Sequence, residues 1–337
     1  MTGGPGCSST LALLTENGPC SVNEDGKSTT VNPYSWTEAA HVLWLDQPAG
    51  VGFSYGTEDD SNEKMVGEDA YYFLQAFFQT FPEYASAPLY IVGESYGGHY
   101  APAIAHRVWM GNKNLKPDTI KLNLSGLGVG NGLTDPEEQY KWYPEMGHDN
   151  SHGIKIFDDS VYEGMKEAVP RCTALIHQCN QGDGAIDDFA CQGAFVLCNT
   201  ALTSPYQATG LNPYDIRVCF QLYLFSGFCF LMALVLIFSF YFSDQMCETS
   251  TCKCLHRRHG CLLPTSSTDA FICCRPYQCY DFSNVKKWLN LQSTKEALGV
   301  DTQHSHAWNS CNFGINAKVS PFDRQGLSRR LYIPLLT

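Results

Sequence analysis

Basic residues are scarce in this chain: 22 Lys and Arg stand against 34 Asp and Glu in 337 residues, a formal net charge of -12 at pH 7. Without a basic surface to neutralise phosphates, nucleic acid is excluded as a partner. The two small basic clusters, "HRRH" at 256–259 and "SRR" at 328–330, read as solvated surface. An apolar leader is lacking too, because Met1 is followed at once by "TGGPGCSST" with no signal-peptide h-region. Metal-site spacing is also missing. Structural zinc sites place ligands two to four residues apart, which Cys172, Cys179, Cys191 and Cys198 do not. The denser "CETSTCKCLHRRHGC" at 247–261 is too irregular to make a site, so neither metal nor cofactor is expected.

What is present begins with 16 cysteines, a high count for a cytosolic enzyme. The C-x6-C-x11-C-x6-C spacing from Cys172 to Cys198 is palindromic and suits two antiparallel segments clamped by nested pairs. Of the three connectivities that four cysteines allow, it favours Cys172 with Cys198 and Cys179 with Cys191. Disulfides imply an oxidising compartment, so a leader is expected ahead of Met1. A hydrophobic content of 44% and aromatic content of 13% describe a globular protein, either one large domain with an insertion or two domains. Nothing in the sequence fixes its oligomeric state.

The stretch "LYIVGESYGGHYAP" (89–102) carries the chemistry. Leu89 to Val92 reads as a short buried strand, Gly93 to Gly98 as a sharp turn, and a helix is expected from near His99. Ser95 then sits at a strand-to-helix elbow. Glycines at 93 and 97 relieve the crowding that such a turn creates. The plainer alternative is a glycine-rich connection with a passing serine. Other strand-like runs, His41 to Leu45 and Ile120 to Val129, alternate with helical patterns such as "GEDAYYFLQAFFQTF" (67–81), the rhythm of a mostly parallel sheet with helical crossovers.

Ten motifs, "GGPGCSS" (3–9), "ENGPC" (16–20), "PYSW" (33–36), "LDQPAGVGFSY" (45–55), "FPEY" (81–84), "GESYGGHYAP" (93–102), "GNGLTDP" (130–136), "NPYDIR" (212–217), "CYDFSNV" (279–285) and "SCNFGIN" (310–316), stand in the order seen in serine carboxypeptidases. The chain resembles that family, which includes the carboxypeptidase Y and cathepsin A types. The resemblance implies an α/β-hydrolase fold, a vacuolar, lysosomal or secreted location, and removal of single residues from peptide C-termini at acid pH. It divides the chain into a core at 1–153, a helical disulfide-bonded cap at 154–211 and a second core part at 212–337.

Site roles follow from the same resemblance. Ser95 matches the nucleophile, and the backbone N–H groups of Gly4 and Tyr96 match the oxyanion hole, with Gly3 beside them on the substrate loop. Glu94 matches an acid that binds the terminal carboxylate; protonated, it would share its proton with that carboxylate, and the plainer alternative is a surface or capping glutamate. Thr2 stands where the family has asparagine, giving one donor for two. Tyr214 and Tyr280 fall where relatives line the substrate pocket, although core packing would serve either. The resemblance also pairs Cys7 with Cys311 and Cys274 with Cys279. His99 is expected to pack rather than act as base.

Two departures qualify the resemblance. The family's triad Asp and His motifs come after a segment similar to "LYIPLLT" (331–337), so terminal strands and both partners of Ser95 are expected to be absent and the chain inactive as it stands. From Val218 to Ser243 a run of uncharged residues exceeds the ~20 needed to cross a bilayer. Cutting 219–273 joins "NPYDIRV" to "CRPYQCYDFSN" in family-like continuity. The insertion is thus either translated non-coding sequence or a genuine membrane or buried segment, and only the latter gives a membrane partner. Two further functions stay open: a catalytically dead paralogue that binds partners, and an acyltransferase using the same acyl-enzyme.

Overall fold

The computed structural model describes residues 1–58, 60–181, 185–212, 214–219, 223–224, 272–273, 281–304 and 306–319. These form two compact units.

The first unit comprises Met1–Trp142, Val169–Cys198 and Phe282–Thr337. Helix α1 (Thr10–Thr15) leads into an antiparallel hairpin of β1 (Cys20–Val22) and β2 (Thr29–Val31). Helix α2 (Glu63–Thr80) starts where the Asn62 side chain accepts from Met65 N at 3.1 Å, satisfying one of the free N–H groups of its first turn. Its buried residues Val66, Ala70 and Leu74 recur every four positions and form one apolar stripe. That stripe serves the core. Strand β3 (Leu89–Glu94), helix α3 (Gly97–Lys113) and strand β4 (Leu124–Gly130) complete a βαβ unit in which β3 and β4 pair in parallel. Ala70, Tyr71, Leu74, Ile91, Ala101, Ile104, Val108 and Leu122 pack as its core.

Beyond β4 come α4 (Pro136–Gln139), α5 (Tyr143–His148), α6 (Asp159–Cys179) and α7 (Ala185–Cys198). Disulfides Cys172–Cys198 and Cys179–Cys191 join α6 to α7. The second unit, Tyr143–Ala168 and Asn199–Asp281, holds α5 and the start of α6. Helix α8 (Ser204–Ala208) and the antiparallel pairs β5 (Leu211–Asn212) with β6 (Asp215–Cys219) and β7 (Tyr223–Leu224) with β8 (Ile272–Cys273) also belong to it. Its packing centres on Tyr206, whose hydroxyl donates to the Tyr143 carbonyl at 2.6 Å and whose ring meets Phe157 at 4.7 Å. Helices α9 (Ser283–Leu289), α10 (Gln292–Ala297) and α11 (Phe313–Lys318) return to the first unit.

Two strand expectations need correction. Residues 41–45 form no strand: Trp44 Nε1 donates to Asn17 Oδ1 at 2.9 Å and His41 rests on the Tyr84 ring, but no backbone ladder reaches them among the described residues. Strand β4 starts at Leu124 rather than Ile120 because side-chain amides take the earlier backbone groups. Gln75 bonds both the N–H and the carbonyl of Ile120, and Asn112 does the same for Leu122.

Among the described residues no helix is long and apolar enough to cross a membrane. The apolar run at 218–243 lies outside them except for its strand residues in β6 and β7. The antiparallel pairing of Tyr223 with Cys273 and Leu224 with Ile272 brings the two ends of the intervening segment side by side.

Candidate active site

Strand β3 ends at Glu94 and α3 begins at Gly97, so Ser95 must reverse the chain in two residues. Its φ of +56° lies in the left-handed region, which costs a non-glycine residue energy and persists only where surroundings impose it. They do so through three backbone hydrogen bonds. Ser95 N donates to the Gly130 carbonyl at 3.1 Å, while the Ser95 carbonyl accepts from Gly98 N at 3.0 Å and Leu133 N at 2.9 Å. Glycine is required at the flanks: a Cβ on Gly93 would stand 2.1 Å from the Gly97 carbonyl oxygen, and one on Gly98 would stand 2.6 Å from the Leu133 oxygen.

The glycine loop lies against this elbow. Met1 runs along β3, its N–H group donating to the Val92 carbonyl at 2.8 Å and its carbonyl accepting from Glu94 N at 3.0 Å. A Cβ on Gly3 would stand 2.2 Å from Tyr96 N and 2.9 Å from Ser95 Cβ. Gly4 follows with φ +118°, and its N–H makes no hydrogen bond among the described residues. Returning chain pins the loop from behind. Asn312 N donates to the Gly6 carbonyl, Asn316 Nδ2 to the Pro5 carbonyl, and Cys7 is disulfide-bonded to Cys311. Below it, Ser8 Oγ donates to Asp46 at 2.6 Å and accepts from Trp308 Nε1 at 3.1 Å.

Two buried phenols anchor the halves of this arrangement. Tyr100 accepts from Gly6 N at 3.3 Å, and burial pushes its hydroxyl pKa well up. Tyr96 donates to the buried Glu63 at the start of α2, and its ring packs against His99 at 4.7 Å. His99 is itself buried in this packing. No described side chain hydrogen-bonds to the Ser95 hydroxyl.

The sequence reading missed Glu16. It follows α1 and stands close enough to Glu94 for that residue's charge to disfavour a second ionised carboxylate. Burial of the carboxyl first, then the charge and hydrogen bond of Glu94, push Glu16 up to about 7, offset in part by the Met1 ammonium. The residue keeps an exposed flank even so. Beside the pair, Thr2 N donates to Ser9 Oγ at 3.1 Å while Thr2 Oγ1 is buried without a hydrogen bond. The signal for Glu16 was the acid of "ENGPC", but its 78-residue separation from Glu94 hid the pairing.

Tyr214 belongs to the second unit, where it is exposed. Tyr280, Cys274 and Cys279 lie outside the described residues. Among the described residues no group of His, Cys, Asp and Glu could hold a metal.

Comparison with known proteins sets this geometry in context. The chain is 34% identical to carboxypeptidase Y of Candida albicans over 94% of its length, covering 46% of that protein. It is also 34% identical to carboxypeptidase Y homolog A of Trichophyton verrucosum, again over 94% of this chain and 46% of the relative. The chain thus spans about half the length of the curated relatives it matches. Among solved structures it resembles Kex1(delta)p, a prohormone-processing carboxypeptidase from Saccharomyces cerevisiae. The TM-score is 0.67 at 23% identity, with 99% of this chain and 61% of that one covered, which bears out the expected α/β-hydrolase fold. The family model for serine carboxypeptidases matches residues 1–328, and the chain belongs to that family.

Proposed function

We propose that these residues form the nucleophile and terminal-carboxylate half of a peptidase that removes single residues from peptide C-termini. The observation that carries the proposal is the Ser95 elbow, held at φ +56° at the end of β3 with the Gly3–Gly4 loop packed against it; Glu94 ends that strand, and burial and the Glu94 charge raise Glu16. A proton that Glu16 keeps toward neutrality lets it donate to a peptide's terminal carboxylate instead of repelling it. Ser95 Oγ attacks the scissile carbonyl one residue in from that terminus, and an acyl-enzyme forms as the last residue leaves. The N–H groups of Gly4 and Tyr96 receive the oxygen of the tetrahedral intermediate, each donor contributing about 3 kcal/mol. Thr2, in place of the family's asparagine, leaves more of the carboxylate recognition to the two glutamates. Acid conditions, as in a vacuole or lysosome, suit a pair that must keep its proton.

Serine attack needs a base, and no described imidazole bonds to Ser95. The finer proposal is therefore that the 337 residues alone bind such peptides without cleaving them, a silent binder until an Asp–His pair is supplied. Incubation with an N-blocked dipeptide tests both parts. The chain itself is expected to release no amino acid. A chimera extended with the part of Candida albicans carboxypeptidase Y that these residues do not span is expected to release the C-terminal residue, and Ser95→Ala to abolish that release. Cleavage by the 337 residues that Ser95→Ala removes would overturn the silent-binder reading; an active chimera indifferent to Ser95→Ala would overturn the nucleophile.

A further inference from the structure

The motif "GNGLTDP" (130–136) supplies the turn after β4, and the peptidase reading gives its asparagine no task. Among the described residues other than glycine only Ser95 and Asn131 have a positive φ, and that of Asn131 is +44°. Asn131 stands between Gly130 and Gly132, where a third glycine would hold the same conformation without strain. Its side chain is exposed and makes no hydrogen bond among the described residues. Given Ser95 as the nucleophile of a carboxypeptidase, the reading on which this inference rests, we propose that Asn131 binds the peptide main chain on the N-terminal side of the scissile bond. Its Oδ1 accepts the N–H of the penultimate residue.

The two edges of β3 decide which way a peptide lies. Successive strand residues turn their backbone groups to opposite edges. On one edge Val92 and Glu94 bond to Met1, and Glu16 stands there within reach of the Met1 ammonium and the Glu94 charge. On the other edge β4 pairs with β3, and Ser95 N donates to the Gly130 carbonyl at 3.1 Å. A terminal carboxylate held at the Met1 edge puts the last residue of a peptide on that side of Ser95. The rest of the peptide leaves across the opposite edge, where β4 ends and Asn131 follows.

The turn is held still around this amide. Gln139 Nε2 donates to the Gly132 carbonyl at 2.8 Å, and Gln139 Oε1 accepts from Thr134 N at 2.8 Å and Asp135 N at 3.1 Å. Leu133 N donates to the Ser95 carbonyl at 2.9 Å, which ties the far side of the turn to the nucleophile. A Cβ on Gly132 would stand 2.2 Å from Val129 Cγ1 and 3.1 Å from Gly98 Cα, so the next position has no room for a side chain. An amide side chain suits a peptide bond, since it offers an acceptor to the N–H and a donor to a carbonyl. Fixed in advance by its turn, it loses little freedom on binding. The ligands it favours are tripeptides and longer chains, or dipeptides acylated at the N-terminus, because these carry an amide N–H one residue inside the scissile bond.

Calorimetric titration of the 337-residue chain, at about pH 5 where Glu16 holds its proton, compares N-acetyl-phenylalanyl-leucine with 3-phenylpropionyl-leucine, the same ligand without its acetamido group. The chain is expected to bind the first about fivefold more tightly, the yield of one neutral hydrogen bond. Asn131→Gly is expected to remove that preference by weakening the first ligand alone, and to melt no lower than the parent because glycine accepts the left-handed conformation. Asn131→Asp keeps an acceptor and tolerates the same conformation, so the preference is expected to survive in it. A parent without the preference, a preference kept in Asn131→Gly or lost in Asn131→Asp, or an equal loss for both ligands overturns the role of Asn131 and leaves the peptidase reading standing. Binding of neither ligand by the parent overturns both.

Discussion

An added methyl carbon at Gly93 would stand 2.1 Å from the Gly97 carbonyl oxygen, whereas at Gly193 in α7 its nearest neighbour would be Leu175 Cδ1 at 3.7 Å. Both glycines belong to the first unit. At the elbow, shape is set by excluded volume: backbone meets backbone, and neither side has a rotamer with which to yield. Between α6 and α7 it is set by two covalent bonds, Cys172–Cys198 and Cys179–Cys191, while the packing around Gly193 keeps room for a methyl group. A site that must hold a strained serine relies on crowding. A scaffold element can rely on cross-links.

The sharpest way to break this contrast is Gly93→Ala. Its Cβ has nowhere to go, so the substitution is expected to cost about 4 kcal/mol or more, in the exceptional range for a single change. Thermal unfolding by circular dichroism checks it, and a loss below about 1 kcal/mol would show that the elbow yields. Next in size come the hairpin disulfides. Replacing Cys172 and Cys198 by alanine is expected to cost about 3.5 kcal/mol and replacing Cys179 and Cys191 about 2.8, because the outer pair closes the longer loop. Denaturant titration of the two double variants gives the order.

Titration of Glu16 gives a smaller effect with a definite sign. Its folded value is raised to about 7 from an ordinary 4.5, so the stability it confers is complete below about 4.5 and is lost as pH rises through about 7. With an exposed flank to screen the charge, the loss is expected to stay under about 1 kcal/mol. Comparing melting temperatures across that window, Glu16→Gln is expected to flatten the fall. Smallest of all is Gly193→Ala, expected to stabilise by about 0.5–1 kcal/mol, since alanine is the better helix former and the space is open.

The same contrast explains what could be read in the sequence. The elbow was legible because its signals are local: the apolar run of β3, glycines at 93, 97 and 98, and the start of α3 all lie within about ten residues of Ser95. The spacing of Cys172, Cys179, Cys191 and Cys198 was legible for the same reason. What escaped depends on distant chain. Residues 41–45 have strand composition, but a strand exists only where a ladder partner does. Ile120 and Leu122 have it too, yet Gln75 and Asn112 take their backbone groups first. Glu16 looked like one more motif letter because its chemistry comes from burial in the fold and from Glu94, distant in the chain.

The most direct test of the account is the pH dependence of binding of an N-blocked dipeptide and of its C-terminal amide, measured by calorimetric titration of the 337-residue chain. If Glu16 recognises the terminal carboxylate through a proton that leaves near 7, affinity for the free acid falls about tenfold between about pH 6 and about pH 8, and affinity for the amide does not follow. An equal fall for both ligands, or a free acid bound equally well at both pH values, would contradict it.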